Sequence, residues 1–262
     1  MSWSHGVKNF RTFTYNFSKF GLTFTPEEIK GMITTVLISA FVYSFDQWGG
    51  EKFNFITGIF NFIIAIIFIS IALFIMQLGQ RLAAVYYGYD PVYEHGMLGL
   101  LIALVIAFAS RGSLVMFMPG YTAINHLMAS RLGEFRYYTS HIEQAKINFI
   151  GIFFNFMTAL IASLLPYKDI PIIDKFLKIN MMFALYALIP FPQNPGFYIF
   201  FTHKNIWAFC VGFIVGGSIL MLLTNVLVTL IGATLLGIMT VAWWFFKKDK
   251  MQGQEGITSI RH

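Results

Sequence analysis

Charged residues are absent from four long stretches of this chain, and a fifth stretch is almost free of them. Phe53 to Gln80 is 28 residues without a charge, bounded by Lys52 and Arg81. Ile147 to Tyr167 is uncharged for 21 residues, Ile179 to Thr202 for 24 and Asn205 to Phe246 for 42. Gly31 to Phe45 is apolar, extends to an interfacial Trp48, and follows Thr25-Pro26-Glu27-Glu28. That lead-in places a proline and two acids in a first helical turn, where they suit the free amides and the helix dipole. Each stretch predicts a membrane-spanning helix. The 42-residue run would make about 63 Å of helix against a hydrocarbon core of about 30 Å, so it must turn, and Thr224-Asn225 is the place. Gly96 to Ser110 is apolar but only 15 residues, short for a crossing. Gly133-Glu134-Phe135-Arg136-Tyr137-Tyr138 alternates like a strand or hairpin.

Composition sharpens this into a class. Of 262 residues, 57% are hydrophobic and 11% charged, with a mean hydropathy of +0.67. So few charges cannot cover the surface of a water-soluble domain of this size. The expected fold is an all-α polytopic membrane protein of about six transmembrane helices, with a short membrane-associated hairpin insert at about 111–146. The N-terminal residues show no continuous apolar core of the kind a cleavable leader needs. With a cytoplasmic N-terminus, 14 of the 18 Lys and Arg fall inside and Lys52, Lys168, Lys175 and Lys178 outside. Letting 96–110 cross and 205–246 cross once gives 12 against 6, so the positive-inside rule favours six crossings. The net charge of +6 is scattered, which suits loops facing an anionic leaflet and argues against nucleic acid as a partner. The expected organisation is a cytoplasmic segment 1–28, a membrane core 29–204, a transmembrane hairpin 205–246 and a cytoplasmic tail 247–262.

Several ordered segments resemble the site-2 protease family of intramembrane zinc metalloproteases. Met76-Gln77-Leu78-Gly79-Gln80-Arg81 through Tyr87-Gly88 is similar to the helix in which that family carries His-Glu-x-x-His. Phe24-Thr25-Pro26-Glu27-Glu28-Ile29-Lys30 looks like the entry to the first span of archaeal members. Phe117-Met118-Pro119-Gly120 resembles a Phe-x-x-Pro-Gly segment, one residue shorter. Ala145-Lys146-Ile147 with Gly151 and Asn155 is similar to a Gly-Lys…Gly-Pro-x-x-Asn helix. Asn180, then Ala187 to Gly196, looks like the segment ending in the family's metal-binding Asp-Gly. The resemblance covers residues 24–204. It implies that the zinc helix and the Asp-Gly motif meet at one membrane depth, so an even number of crossings separates them. Spans starting at Ile147 and Ile179 satisfy this if 96–110 stays on one side.

The same resemblance implies that the reaction is gone. Met76 and Gln80 stand where histidines would hold zinc, Gln77 where a glutamate would activate water, and Pro195 where an aspartate would be the third ligand. A hydrolytic zinc site needs three protein donors and an open position, and a base beside it. Proline supplies no side-chain donor, and a glutamine cannot act as a base. Elsewhere, His5, His95, His126, His141, His203 and His262 have no ligand spacing, and Cys210 is the single cysteine. A Cu(I) site of Met76 with Met116 or Met118 is chemically conceivable, but methionine's ordinary role as a gap-filler outweighs it. The expectation is no catalytic residue, no metal and no cofactor. Gln77 and Gln80, with Asn155 and Asn194, are candidates either for a mutual polar cluster or for a pocket receiving a partner helix. The function expected is that of an inactive structural, accessory or assembly subunit of a larger complex in the cytoplasmic membrane, with lipid and other integral membrane subunits as partners. The alternatives are a regulatory pseudoprotease that binds transmembrane helices of clients and, lesser, an active membrane metalloprotease with a non-standard site.

Overall fold

The computed structural model describes residues 10–49, 53–126 and 140–259. The protein is an all-α membrane protein with one small sheet. In chain order come α1 (Phe10–Asn16), running into a π-turn at Phe17–Gly21, then α2 (Pro26–Ser44), α3 (Phe55–Tyr86), β1 (Tyr89–Glu94), α4 (Met97–Ala109) and β2 (Tyr121–His126). They are followed by α5 (His141–Ala162), α6 (Pro171–Ala187), α7 (Pro195–Thr202), α8 (Lys204–Leu223) and α9 (Val226–Ser259). Among the described residues, four helices are long and apolar enough to cross a bilayer: α3, α5, α8 and the Val226–Phe246 part of α9. α2 has 19 residues but carries Glu27, Glu28 and Lys30 near its start, and α6 has 17.

The chain falls into two compact units that divide between Thr202 and His203. In the first, α2 begins as its sequence predicts. Thr25 caps it, with its hydroxyl accepting from the Glu28 amide while the Glu28 carboxylate accepts from the Thr25 amide, and Pro26 fills the first turn. α3 ends at a Tyr87-Gly88 turn, where Gly88 takes the left-handed conformation (φ 82°) that closes many helices. The chain then enters β1, which pairs antiparallel with β2, Tyr89 opposite His126 and Glu94 opposite Tyr121. α3 and α5 pack closely because each presents a glycine. A Cβ on Gly79 would lie 2.8 Å from Phe154 Cγ, and one on Gly151 would lie 2.8 Å from the Met76 carbonyl oxygen. Small residues at a crossing let helix backbones approach without help from water.

Three expectations need correction. The run 179–202 is not one span: α6 starts upstream at Pro171 and stops at Ala187, and α7 starts at Pro195. Pro190 and Pro192 lack the amides a continuing helix needs and disfavour helical geometry in the residues before them. Gln193 sits at positive φ (62°) in the break. The Asn194-Pro195-Gly196 motif therefore opens a short helix rather than closing a long one. The second correction concerns α5, which begins at His141, capped by the Ser140 side chain on the Glu143 amide, not at Ile147. The third concerns the insert expected at about 111–146. Its strand is β2, its partner β1 precedes α4, and residues 141–146 belong to α5. The alternating segment 133–138 lies outside the described residues.

The second unit is the hairpin of α8 and α9, broken at Thr224-Asn225 as the length of the run requires. Gly212 and Gly216 of α8 face Leu236 and Thr240 of α9, and the Thr240 hydroxyl donates to the Ala208 carbonyl at 2.9 Å. α9 continues as helix through 247–259, past the apolar part that ends at Phe246.

Candidate functional site

Gln77 and Gln80 lie three residues apart on α3, and a three-residue offset puts them on one helical face. Both are fully buried, as are Thr122 of β2 and Asn148 of α5. The four side chains form one network. Gln77 Nε2 donates to Gln80 Oε1 at 2.9 Å, and Gln80 Nε2 donates to Asn148 Oδ1 at 3.2 Å. The Thr122 hydroxyl lies 2.6 Å from Gln80 Oε1 and 3.2 Å from Gln77 Oε1, so its single proton points mainly to Gln80. The Thr122 amide donates to Asn148 Oδ1 at 3.3 Å, and Asn148 Nδ2 donates to the carbonyls of Gln144 and Thr122. The network fastens the sheet to the α3–α5 crossing. Gly151 admits Gln80 there, because a Cβ at 151 would come 2.5 Å from Gln80 Cγ.

The cluster expected among Gln77, Gln80, Asn155 and Asn194 is thus half replaced. Asn155 shares the Asn148 face of α5, two turns on, yet neither of its amide atoms is hydrogen-bonded among the described residues. Asn194 sits beyond the end of α6, where its Nδ2 donates to the carbonyls of Tyr186 (2.8 Å), Ala187 (3.3 Å) and Ile189 (2.9 Å). It ties the break back onto the carbonyl end of α6, where the Leu188 and Ile189 amides also donate to the last carbonyls. Asn148 and Thr122 were missed. Asn148 had a discernible signal, since it stands seven residues before Asn155, a helical repeat. Thr122 had none, because a hydroxyl in a short strand looks like any other.

The donor set does not fit zinc. Met76 is buried in the core, Pro195 is the first residue of α7, and both amide atoms of Gln80 are already engaged. No group of three His, Cys, Asp or Glu side chains comes together among the described residues. Chemically, the arrangement can stabilise and position; it offers no charge, base or activated nucleophile.

One turn along α3, Arg81 makes a buried ion pair with Glu28 of α2. Glu28 also accepts from the Tyr93 amide of β1 at 2.7 Å. Arg81 Nη1 donates to the Thr23 carbonyl at 3.0 Å, and the guanidinium lies over the Phe24 ring, 4.0 Å from its centre. The Tyr93 hydroxyl donates to the Pro119 carbonyl (2.9 Å) and meets the Thr35 hydroxyl (2.8 Å). A buried pair is tolerable when most of its remaining hydrogen-bonding capacity is filled: that of Glu28 is, while Arg81 Nε has no partner among the described residues. Around it, burial lifts the Asp90 carboxyl above the ordinary carboxylate range, against the pull of Arg81. Burial, and after it the hydrogen bond to Glu94, raises the Tyr121 phenol. Three segments singled out in the sequence, 24–30, 76–88 and 117–120, therefore meet at this end of α3. Compared with protein-family models, with curated proteins and with solved structures, the chain gave no match in any of the three.

Proposed function

We propose that this protein is a catalytically inactive, site-2-protease-like membrane protein that serves as a structural or assembly subunit of a larger membrane complex. In this reading it crosses the cytoplasmic membrane six times, with both termini on the cytoplasmic side. The observation that carries the reading is the neutral network of Gln77, Gln80, Thr122 and Asn148. It includes two of the positions, Gln77 and Gln80, where the resemblance implies a base and a metal ligand, and its amides satisfy one another instead of addressing water. Buried amides that pair across helices contribute about 0.6–2 kcal/mol each to a membrane fold, which suits a scaffold.

The test is native mass spectrometry after mild solubilisation, with metal analysis of the same sample. Stoichiometric integral membrane partners and far less than one zinc per chain are expected. A lone chain carrying one zinc and cleaving a model transmembrane substrate would refute the proposal. Partners that exchange freely would favour the regulatory pseudoprotease over the fixed subunit.

A further inference from the structure

Between α2 and α3 lies a groove of about 420 Å³. Its walls include Ile33 and Leu37 from α2 and Ile66, Leu73 and Phe74 from α3, and Ser70 brings the one side-chain oxygen among the lining residues. Ile33, Leu37 and Phe74 are about half exposed and form its mouth. The groove runs beside the middle of α3, a helix apolar enough to cross the bilayer, so what surrounds it is hydrocarbon. A polar ligand would find almost nothing there to bind.

One end of the groove is not featureless. Lys30 precedes Ile33 and Leu37 by three and seven residues, so all three share a face of α2. Lys30 is exposed and its ammonium makes no hydrogen bond or ion pair among the described residues. It stands where the apolar run begins, at the level of the buried Arg81–Glu28 pair, which is the depth of a headgroup if the run spans the hydrocarbon. Glu27, also exposed, is one turn earlier.

From this juxtaposition we infer that the α2–α3 groove is a phospholipid site. One acyl chain lies between Leu37 and Phe74, the phosphate meets the Lys30 ammonium, and the amine of a zwitterionic headgroup faces Glu27. An acyl chain is the occupant that matches both an almost wholly apolar trough and a cation at its headgroup end that has no partner among the described residues. Annular lipid would wet the exposed face of α3 evenly, whereas this site holds one lipid in register.

The full chain would be placed in nanodiscs of phosphatidylcholine doped with phosphatidylethanolamine bearing a diazirine in one acyl chain, illuminated, and its adducts mapped. Adducts should concentrate on 32–37 and 66–74, several-fold above the equally lipid-facing Ile56–Ile63 surface. Ser70→Trp, which fills the groove, should remove that excess, and Lys30→Gln should reduce it several-fold without redistributing adducts elsewhere. The wild-type map stands even if Ser70→Trp does not fold. Even labelling along α3, or an unchanged map in Lys30→Gln, would overturn the assignment. So would cross-links from the groove to a protein helix that exclude the lipid.

Discussion

Asn148 and Asn155 are the same residue type on the same face of one helix, and they should behave oppositely when replaced. Asn148 receives from Gln80 and from the Thr122 amide, so Asn148→Ala leaves two buried donors without acceptors. An unsatisfied buried group costs about 1–3 kcal/mol, and the thermal midpoint of the purified protein should fall accordingly. Asn155 has no hydrogen-bond partner to lose among the described residues, and Asn155→Leu should hold or raise that midpoint, because burying an unpaired amide is itself unfavourable. A large fall with Asn155→Leu would mean that the amide is engaged by something in the membrane. At this scale some of the buried polar positions were legible in the sequence and others were not. Gln77 and Gln80 stood out as polar residues in an uncharged run. Of their partners, Asn148 left only its seven-residue spacing from Asn155 and Thr122 left nothing, because a hydrogen bond joining residues 68 positions apart leaves no local trace of the pairing.

Among the elements, the α3–α5 crossing depends on two glycines whose importance only the packing reveals. Gly151→Val would drive a branched side chain into Gln80 and the Met76 carbonyl. Overpacking of this kind typically costs about 1–3 kcal/mol. Gly151→Ala should be milder yet still destabilising, and both should shift the thermal midpoint more than Gly232→Ala, where the neighbouring contact is the tip of the flexible Leu220 side chain. An equal effect at 151 and 232 would count against the crossing. Helix identity was readable in the long uncharged runs, since an apolar run in a lipid medium has little choice but to satisfy its own backbone, and not at α1 or α7. Helix ends were readable where capping chemistry was explicit, as at Thr25-Pro26-Glu27-Glu28, or where the length of a run forced a turn, as at Thr224-Asn225. They were misread where absence of charge was the only guide. α5 and α6 both begin among charged residues, and Pro190 and Pro192 break a run that hydropathy alone joins.

At the scale of the molecule, the proposed six crossings can be checked against the four helices that, among the described residues, satisfy length and apolarity by themselves. In a Cys210→Ser background, single cysteines replacing Ser4 and Ser259 should react with an impermeant thiol reagent from one side of the membrane, and ones replacing Asp46 and Asn225 from the other, since a chain with only four crossings would put position 46 on the side of the termini. Termini on opposite sides would remove the topology. The Arg81–Glu28 pair also bears on how the protein is made. Glu27, Glu28 and Lys30 at the head of α2 make that helix a reluctant passenger for the insertion machinery, which disfavours each ionisable group it must pass to lipid. The carboxylate that matters most, Glu28, gains its counter-ion only after 53 more residues have been synthesised. α2 and α3 are then expected to leave the translocon together, as a hairpin whose charges cancel between its arms. Stalled nascent chains ending soon after Ser44 should stay extractable by alkaline carbonate, and chains long enough to present Arg81 should not. Arg81→Leu in the longer chain should restore extraction, placing the dependence on the missing charge rather than on chain length.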